Sequence, residues 1–244
     1  MSANGATRAQ VLSWSAWSPG LEDPAAWEAW AGAPAPLLEE GHPSAEFLPA
    51  MLRRRCTPLT RIALTTAFGA LAGEEGSAVR TVFASRHGSI NESLELLHAV
   101  VGEQRLSPTK FSHTVHNAQA GLFCIAAGNR RASSSLAARD DTFACGWLEA
   151  LTHLERDPGS PVLLVMGDVA LAPTFAALVT EPPGAYGLGL LLAREDEGPS
   201  LDLDLAGRGE ANALPWPDAM EFLRFLLTGE ERLEIGRFGW TRAT

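Results

Sequence analysis

Residues 107–168 read SPTKFSHTVHNAQAGLFCIAAGNRRASSSLAARDDTFACGWLEALTHLERDPGSPVLLVMGD, and the order of patterns in this stretch decides the fold. A polar, histidine-bearing loop feeds a helix of small residues, a short strand follows, and an Asp-Asp turn opens an amphipathic helix that leads into a buried strand. Phe143, Trp147, Leu151 and Leu154 recur at i, i+4, i+8 and i+11, which gives the second helix one strong apolar face. Asp140 or Asp141 stands where a side chain caps such a helix. The run Val162 to Met166, ahead of Gly167-Asp168, is apolar, as in a buried strand.

Outward from this unit, Val11 to Trp17 alternates as a strand does and is closed by Pro19-Gly20. Trp27 and Trp30 share a face of a short helix near Asp23 to Ala31. The Pro-rich segment Ala33 to Pro49 predicts an irregular connection. A helix resumes at Pro58 with Thr57 as its cap, and Ile62, Ala63, Ala67, Ala70 and Leu71 form a small-residue face for close packing. Ala78 to Ser85 predicts a strand, and Glu92 to Val101 a helix with Leu94, Leu97, His98 and Val101 inward. Ala170 to Pro183 predicts a helix or loop excursion. Tyr186 to Leu192 and Leu201 to Leu205 predict strands joined by the acidic turn Arg194 to Pro199. Pro217 to Leu227 predicts a helix, and Arg232 to Trp240 a last strand. Strands alternating with helices predict a layered α/β domain, single over residues 1–244, with residues 1–9 disordered at its start.

The HN-x-x-AG signature in His116, Asn117, Ala120 and Gly121, and the LEAL helix followed by VLLVMGD, resemble the N-terminal half of β-ketoacyl synthases. The resemblance extends to short synthase-like proteins of aryl-polyene or related polyketide gene clusters, and it covers roughly Val11 to Leu192. It implies a thiolase-like fold, N-terminal half only, in which helix layers pack on helix layers. It also implies that the strand over residues 133–138 pairs across a homo- or heterodimer axis.

In that family a cysteine stands at the strand-to-helix elbow, where the helix N-terminus favours the thiolate. Counting back from Val162 puts the position near Thr142 or Phe143. Cys145 lies farther in, and two or three residues turn a side chain by roughly 200–300° around a helix. The family's other catalytic groups come from its C-terminal half, and no histidine follows His153. The resemblance therefore implies an accessory subunit of fatty-acid or polyketide synthesis, related to chain-length factors, that binds a full-length ketosynthase or an acyl carrier protein and does not condense on its own.

The alternative is a standalone acyltransferase or thioesterase in which Cys145 acts with His113 and His116 on an acyl thioester of carrier protein or coenzyme A. A structural role, with side chains bonding nearby backbone, is the competing expectation for His116 and Asn117. Ser133, Ser134 and Ser135 lack the setting of a serine-hydrolase nucleophile, and Gly167-Asp168 ends a strand where α/β proteins often place functional groups.

Composition narrows the field. The 244 residues are 46% hydrophobic and carry 19 basic against 29 acidic side chains, a formal charge of −10. That balance argues against nucleic acid and anionic membranes as partners. A carrier protein, itself acidic, would need a local cationic patch, for which Arg53, Arg54 and Arg55, or Arg130 and Arg131, are the candidates. Cys56, Cys124 and Cys145 show neither paired spacing nor a metal-ligand pattern, so reduced thiols, no metal and no cofactor are expected. With no secretory signal and no membrane-length apolar run, the cytoplasm is the expected compartment.

Overall fold

The computed structural model describes residues 8–176, 178–179, 182–194, 200–205 and 214–243. In chain order the elements are β1 (Arg8–Trp17), α1 (Pro24–Gly32), α2 (Ala50–Arg53), α3 (Pro58–Ala70), β2 (Arg80–Ala84), α4 (Ile90–Val101), α5 (Pro108–Ser112), α6 (Ala118–Ala127) and β3 (Ser133–Leu136). After a 3-10 turn (Arg139–Asp141) come α7 (Thr142–Arg156), β4 (Val162–Asp168), α8 (Pro173–Ala176), β5 (Tyr186–Ala193), β6 (Ser200–Asp204), α9 (Asp218–Thr228), β7 (Arg232–Ile235) and β8 (Phe238–Ala243).

The strands form one sheet in the order β3-β2-β4-β5-β1-β6-β8-β7. β3, β2 and β4 run parallel, and β5 lies antiparallel between β4 and β1. β6, β8 and β7 extend the sheet antiparallel beyond β1. Every residue of β4 and β5 is buried, as suits central strands whose residues are apolar up to the closing Asp168 of β4.

Alternate residues of the strands build two cores. Val82, Ala84 and Leu164 face α7 and α9, together with Phe143, Trp147, Phe222 and Trp240. Phe83, Leu163 and Val165 face α3 and α6, with Ala63, Ala67 and Phe123. The first core is aromatic: Phe143 and Trp147 meet Phe222 at ring-centroid distances of 4.9 and 5.1 Å. The second is built for close approach. A Cβ on Gly187 would fall 2.5 Å from Ile62 Cγ2, and one on Gly189 would fall 2.3 Å from the carbonyl oxygen of Thr66. The small-residue face of α3 is thus spent on the glycines of β5 within the chain rather than on a partner.

The α3 cap is as expected, with Thr57 accepting from the Thr60 amide at 3.2 Å, and α1 is capped by Asp23, which accepts from the Ala26 amide at 2.9 Å. Four expectations change. β1 begins at Arg8, where Arg8 pairs with Asp202 at 2.8 Å, so residues 8 and 9 are ordered, while residues 1–7 lie outside the described ones. The last strand is a hairpin, because Gly236, at φ +56°, turns the chain between β7 and β8. The apolar stripe of α4 is not inward: none of its residues is buried. Finally, neither Asp140 nor Asp141 gives α7 a side-chain cap. The acidic turn before β6 falls on residues 195–199, outside those described.

Candidate functional site

The turn from β3 into α7 is the elbow at which the resemblance places a nucleophile. Its apex is Arg139, held at φ +55°, a conformation that costs an L-residue with a side chain about 1 kcal/mol. The apex therefore lies three residues before Thr142, ahead of the position near Thr142 or Phe143 that counting gave. Thr142 fixes the turn, with its Oγ1 accepting from the Ala138 amide at 3.0 Å and donating to the Arg139 carbonyl at 2.6 Å. The two carboxylates that follow the apex are engaged. Asp140 pairs with Arg86 at 2.6 Å and Asp141 with Arg237 at 2.7 Å. A cleft of about 60 Å³ remains beside them, walled by Phe143, Asp218, Gly236 and Trp240.

Cys145 is half-buried on α7, two residues and about 200° around the helix from core-facing Phe143. Burial raises its thiol pKa, Asp141 raises it further, and Arg237 only partly offsets them. These fields disfavour the thiolate, the form that attacks a thioester.

His116 donates from Nε2 to the Ser85 carbonyl at 3.0 Å, and its ring lies against Gly88, where a Cβ would sit 2.9 Å from its Cδ2. His113 is buried with neither ring nitrogen hydrogen-bonded among the described residues, and burial, then Arg55, holds its pKa below the ordinary value. Both histidines lead into α6, which covers the sheet face opposite to α7. The fold thus does not gather Cys145, His113 and His116 on one layer. Asn117 takes the N-cap position of α6 but is exposed and makes no side-chain cap bond.

Arg53 closes α2 and is half-exposed, while Arg54 and Arg55 are exposed. Among the described residues no carboxylate lies within ion-pair distance of these three. In a chain of net charge −10 that makes a local cationic patch.

Two clusters were only partly legible in sequence. Asp168 is buried at the end of β4 and organises the turn after β2: its Oδ1 accepts from Ser85 Oγ at 2.6 Å and the His87 amide at 3.1 Å, its Oδ2 from the Arg86 amide at 2.9 Å. Beside it a cavity of about 400 Å³ is lined by His87, Leu171, Val179 and Tyr186. The strand-ending Gly-Asp was its signal. The second cluster joins Ser134 of β3 to α7. Ser134 Oγ donates to Glu149 Oε1 at 2.6 Å and lies 3.2 Å from His153 Nε2. Glu149 therefore engages the serine directly rather than the far side of the imidazole, unlike the relay of a serine nucleophile. Only the tertiary fold brings Ser134 to this pair.

Among the described residues no group of three or more His, Cys, Asp and Glu side chains is placed to hold a metal ion. No helix among them is long and apolar enough to cross a membrane.

Residues 27–240 match the family described as β-ketoacyl synthase, N-terminal domain. The chain is similar to a chain of the ketosynthase (ApeO) in complex with its chain length factor (ApeC) from Xenorhabdus doucetiae. That similarity has 26% identity and a TM-score of 0.82, over 97% of this chain and 99% of that one. A β-ketoacyl synthase from Burkholderia phymatum shares the fold at 11% identity and a TM-score of 0.64, over 92% of this chain and 71% of that one. The ketosynthase from module 1 of the bacillaene synthase of Bacillus amyloliquefaciens shares it at 12% identity and a TM-score of 0.59, over 84% of this chain and 48% of that one. No curated protein matches. The fold is the thiolase-like ketosynthase fold, represented here by its N-terminal half.

Proposed function

The chain belongs to the family of the β-ketoacyl synthase N-terminal domain, and from that premise we propose that it is a chain-length-factor-like accessory subunit. It pairs with a full-length ketosynthase in fatty-acid or polyketide synthesis of the aryl-polyene type and leaves condensation to that partner. The observation that carries this reading is the elbow. Arg139, Asp140 and Asp141 stand at the turn that carries the cysteine in condensing members of the family, and both carboxylates are tied into ion pairs.

Three further features support it. The complex in Xenorhabdus doucetiae joins a ketosynthase to a chain length factor, and the similar chain there is matched over 99% of its length. Among the described residues β3 is an edge strand with one side unpaired, which suits pairing with another chain over residues 133–138. The Arg53 to Arg55 patch suits an acidic carrier protein that presents an acyl thioester.

The test is intact-mass analysis of the protein and its Cys145→Ala variant after incubation with acyl thioesters of carrier protein and coenzyme A. No adduct is expected. An adduct that forms on the native protein and disappears in the variant would overturn the accessory reading in favour of an acyl-enzyme.

A further inference from the structure

We infer that an acidic partner docking on the Arg53 to Arg55 patch draws a proton onto His113, so that the patch binds more tightly as pH falls; this rests on the carrier reading given above. His113 is 6% exposed, and among the described residues neither of its ring nitrogens has a hydrogen-bond partner. Polar atoms left in that state inside a folded chain are rare enough to need a reason.

The fold sets this histidine beside the patch. α3 leads into β2 and α6 into β3, and β2 and β3 are parallel neighbours, so the two helices start at the same end of the sheet. α3 packs against α6, and Leu59 in the first turn of α3 lines a small pocket together with His116 and Gln119 at the start of α6. The segments that enter these helices therefore meet, with Arg53 to Arg55 on one and His113 on the other. Arg55 is close enough for its charge to act on the imidazole.

The surrounding charges fix the sign. Burial first, and Arg55 second, hold the imidazole neutral in the free chain. Lys110 on α5 is tied to Glu95 of α4 at 3.0 Å, and α4 also carries Glu92 and His98. Arg61 of α3 donates from Nη2 to the Arg53 carbonyl at 3.5 Å, and His116 is bonded to the Ser85 carbonyl. Burial keeps the Cys56 thiol uncharged. A carboxylate arriving on Arg55 cancels the like-charge field at His113, which then takes up a proton as the partner docks. A group that holds its proton more tightly in the complex makes the complex tighter at low pH, an effect that is absent above the bound-state pKa and complete below the free-state one. The partner's own carboxylates, with ordinary pKa values of about 4, stay ionised across that window.

The test measures, by isothermal titration calorimetry from pH 7.5 to 5.5, the binding of the full chain to each purified acyl carrier protein of its own organism in its apo form. The native protein is compared with His113→Gln, and thermal melts monitor folding. We expect the native protein to bind at least about threefold more tightly at pH 5.5 than at pH 7.5, the equivalent of roughly half a pKa unit, and His113→Gln to bind equally at both. Titrations of the native protein at pH 6 in two buffers of different ionisation enthalpy read the proton uptake directly, whether or not the variant folds. Binding without proton uptake would overturn this inference while leaving carrier docking in place, as would a pH dependence that survives in His113→Gln. Failure of the native protein to bind any carrier at either pH would overturn the carrier reading and this inference with it.

Discussion

Asp141 and Arg237 meet at 2.7 Å, so the β7–β8 turn is fastened to the start of α7. The link joins the last hairpin of the described chain to the elbow, the place a nucleophile takes in the condensing members of the family. Its energy is modest, because the two side chains are 32% and 62% exposed and water screens their attraction. Arg237→Ala is expected to lower stability by no more than about 1 kcal/mol in urea unfolding. A loss above about 3 kcal/mol would mean that the hairpin depends on this ion pair rather than on Phe238 and Trp240 beneath it.

Relief of the elbow gives the opposite sign. Arg139 sits at φ +55°, where glycine is free of the Cβ penalty. Arg139→Gly is expected to stabilise the protein by up to about 1 kcal/mol and to raise Tm by about 2–4 °C. A lower Tm would show that the arginine side chain holds the turn by contacts that outweigh its backbone strain.

The aromatic core between α7, α9 and β8 holds larger energies. Trp147 is fully buried, with its ring tilted against Phe222 at 5.1 Å and edge-on to Trp240 at 6.4 Å. Trp147→Ala is expected to cost about 3–5 kcal/mol, from lost burial and the cavity left behind. Calorimetry should show Tm lowered by roughly 10 °C or more. A change of only a few degrees would mean that the core collapses to fill the space.

The legible parts of the chain were those whose pattern and neighbours agreed. The Phe143 to Leu154 stripe, the Thr57-Pro58 start of α3 and the apolar runs of β4 and β5 each state locally what the tertiary fold does with them. The hairpin turn was hidden because Gly236 alone interrupts an otherwise continuous strand pattern. α4 misled in the other direction: its stripe is genuine, but the described residues supply no core for it. At the site, spacing located the α7 elbow only to within a few residues, since the 3-10 turn that moves the apex to Arg139 leaves no periodic trace. The Ser134, Glu149 and His153 cluster depends on a strand packed against a helix, and no spacing in sequence encodes that contact.

That cluster has a pH signature. Burial lowers the His153 pKa, with Arg80 and Arg156 acting in the same sense and Glu149 opposing them. His113 is lowered as well, by burial and Arg55. A histidine with a depressed folded pKa is bound more readily by protons when unfolded, so its contribution to stability is complete above the unfolded value of about 6.5. It falls as pH drops below that value and levels off beneath the folded pKa. Melts from pH 7.5 to 5 are therefore expected to decline, and His153→Gln should decline less. A variant whose decline matches the native protein's would assign the pH dependence to other groups.

The edge of β3 offers the most direct mutational probe of the proposed pairing. The Thr81 amide bonds the Ala132 carbonyl and the Ser85 amide bonds the Leu136 carbonyl, so the even-numbered residues face β2. In a parallel ladder the backbone groups of Ser133 and Ser135 then point outward, toward the open side. Proline at 135 removes an outward N–H and no internal hydrogen bond, which an edge strand tolerates. Ser135→Pro is expected to change the unfolding free energy by less than about 1 kcal/mol while weakening the ketosynthase complex at least about tenfold, a loss of roughly 1.4 kcal/mol in binding. Both are read from one preparation, by urea unfolding and by sedimentation of the mixture. Undiminished binding would move the contact away from the strand edge and leave the side chains of the neighbouring helices to carry it.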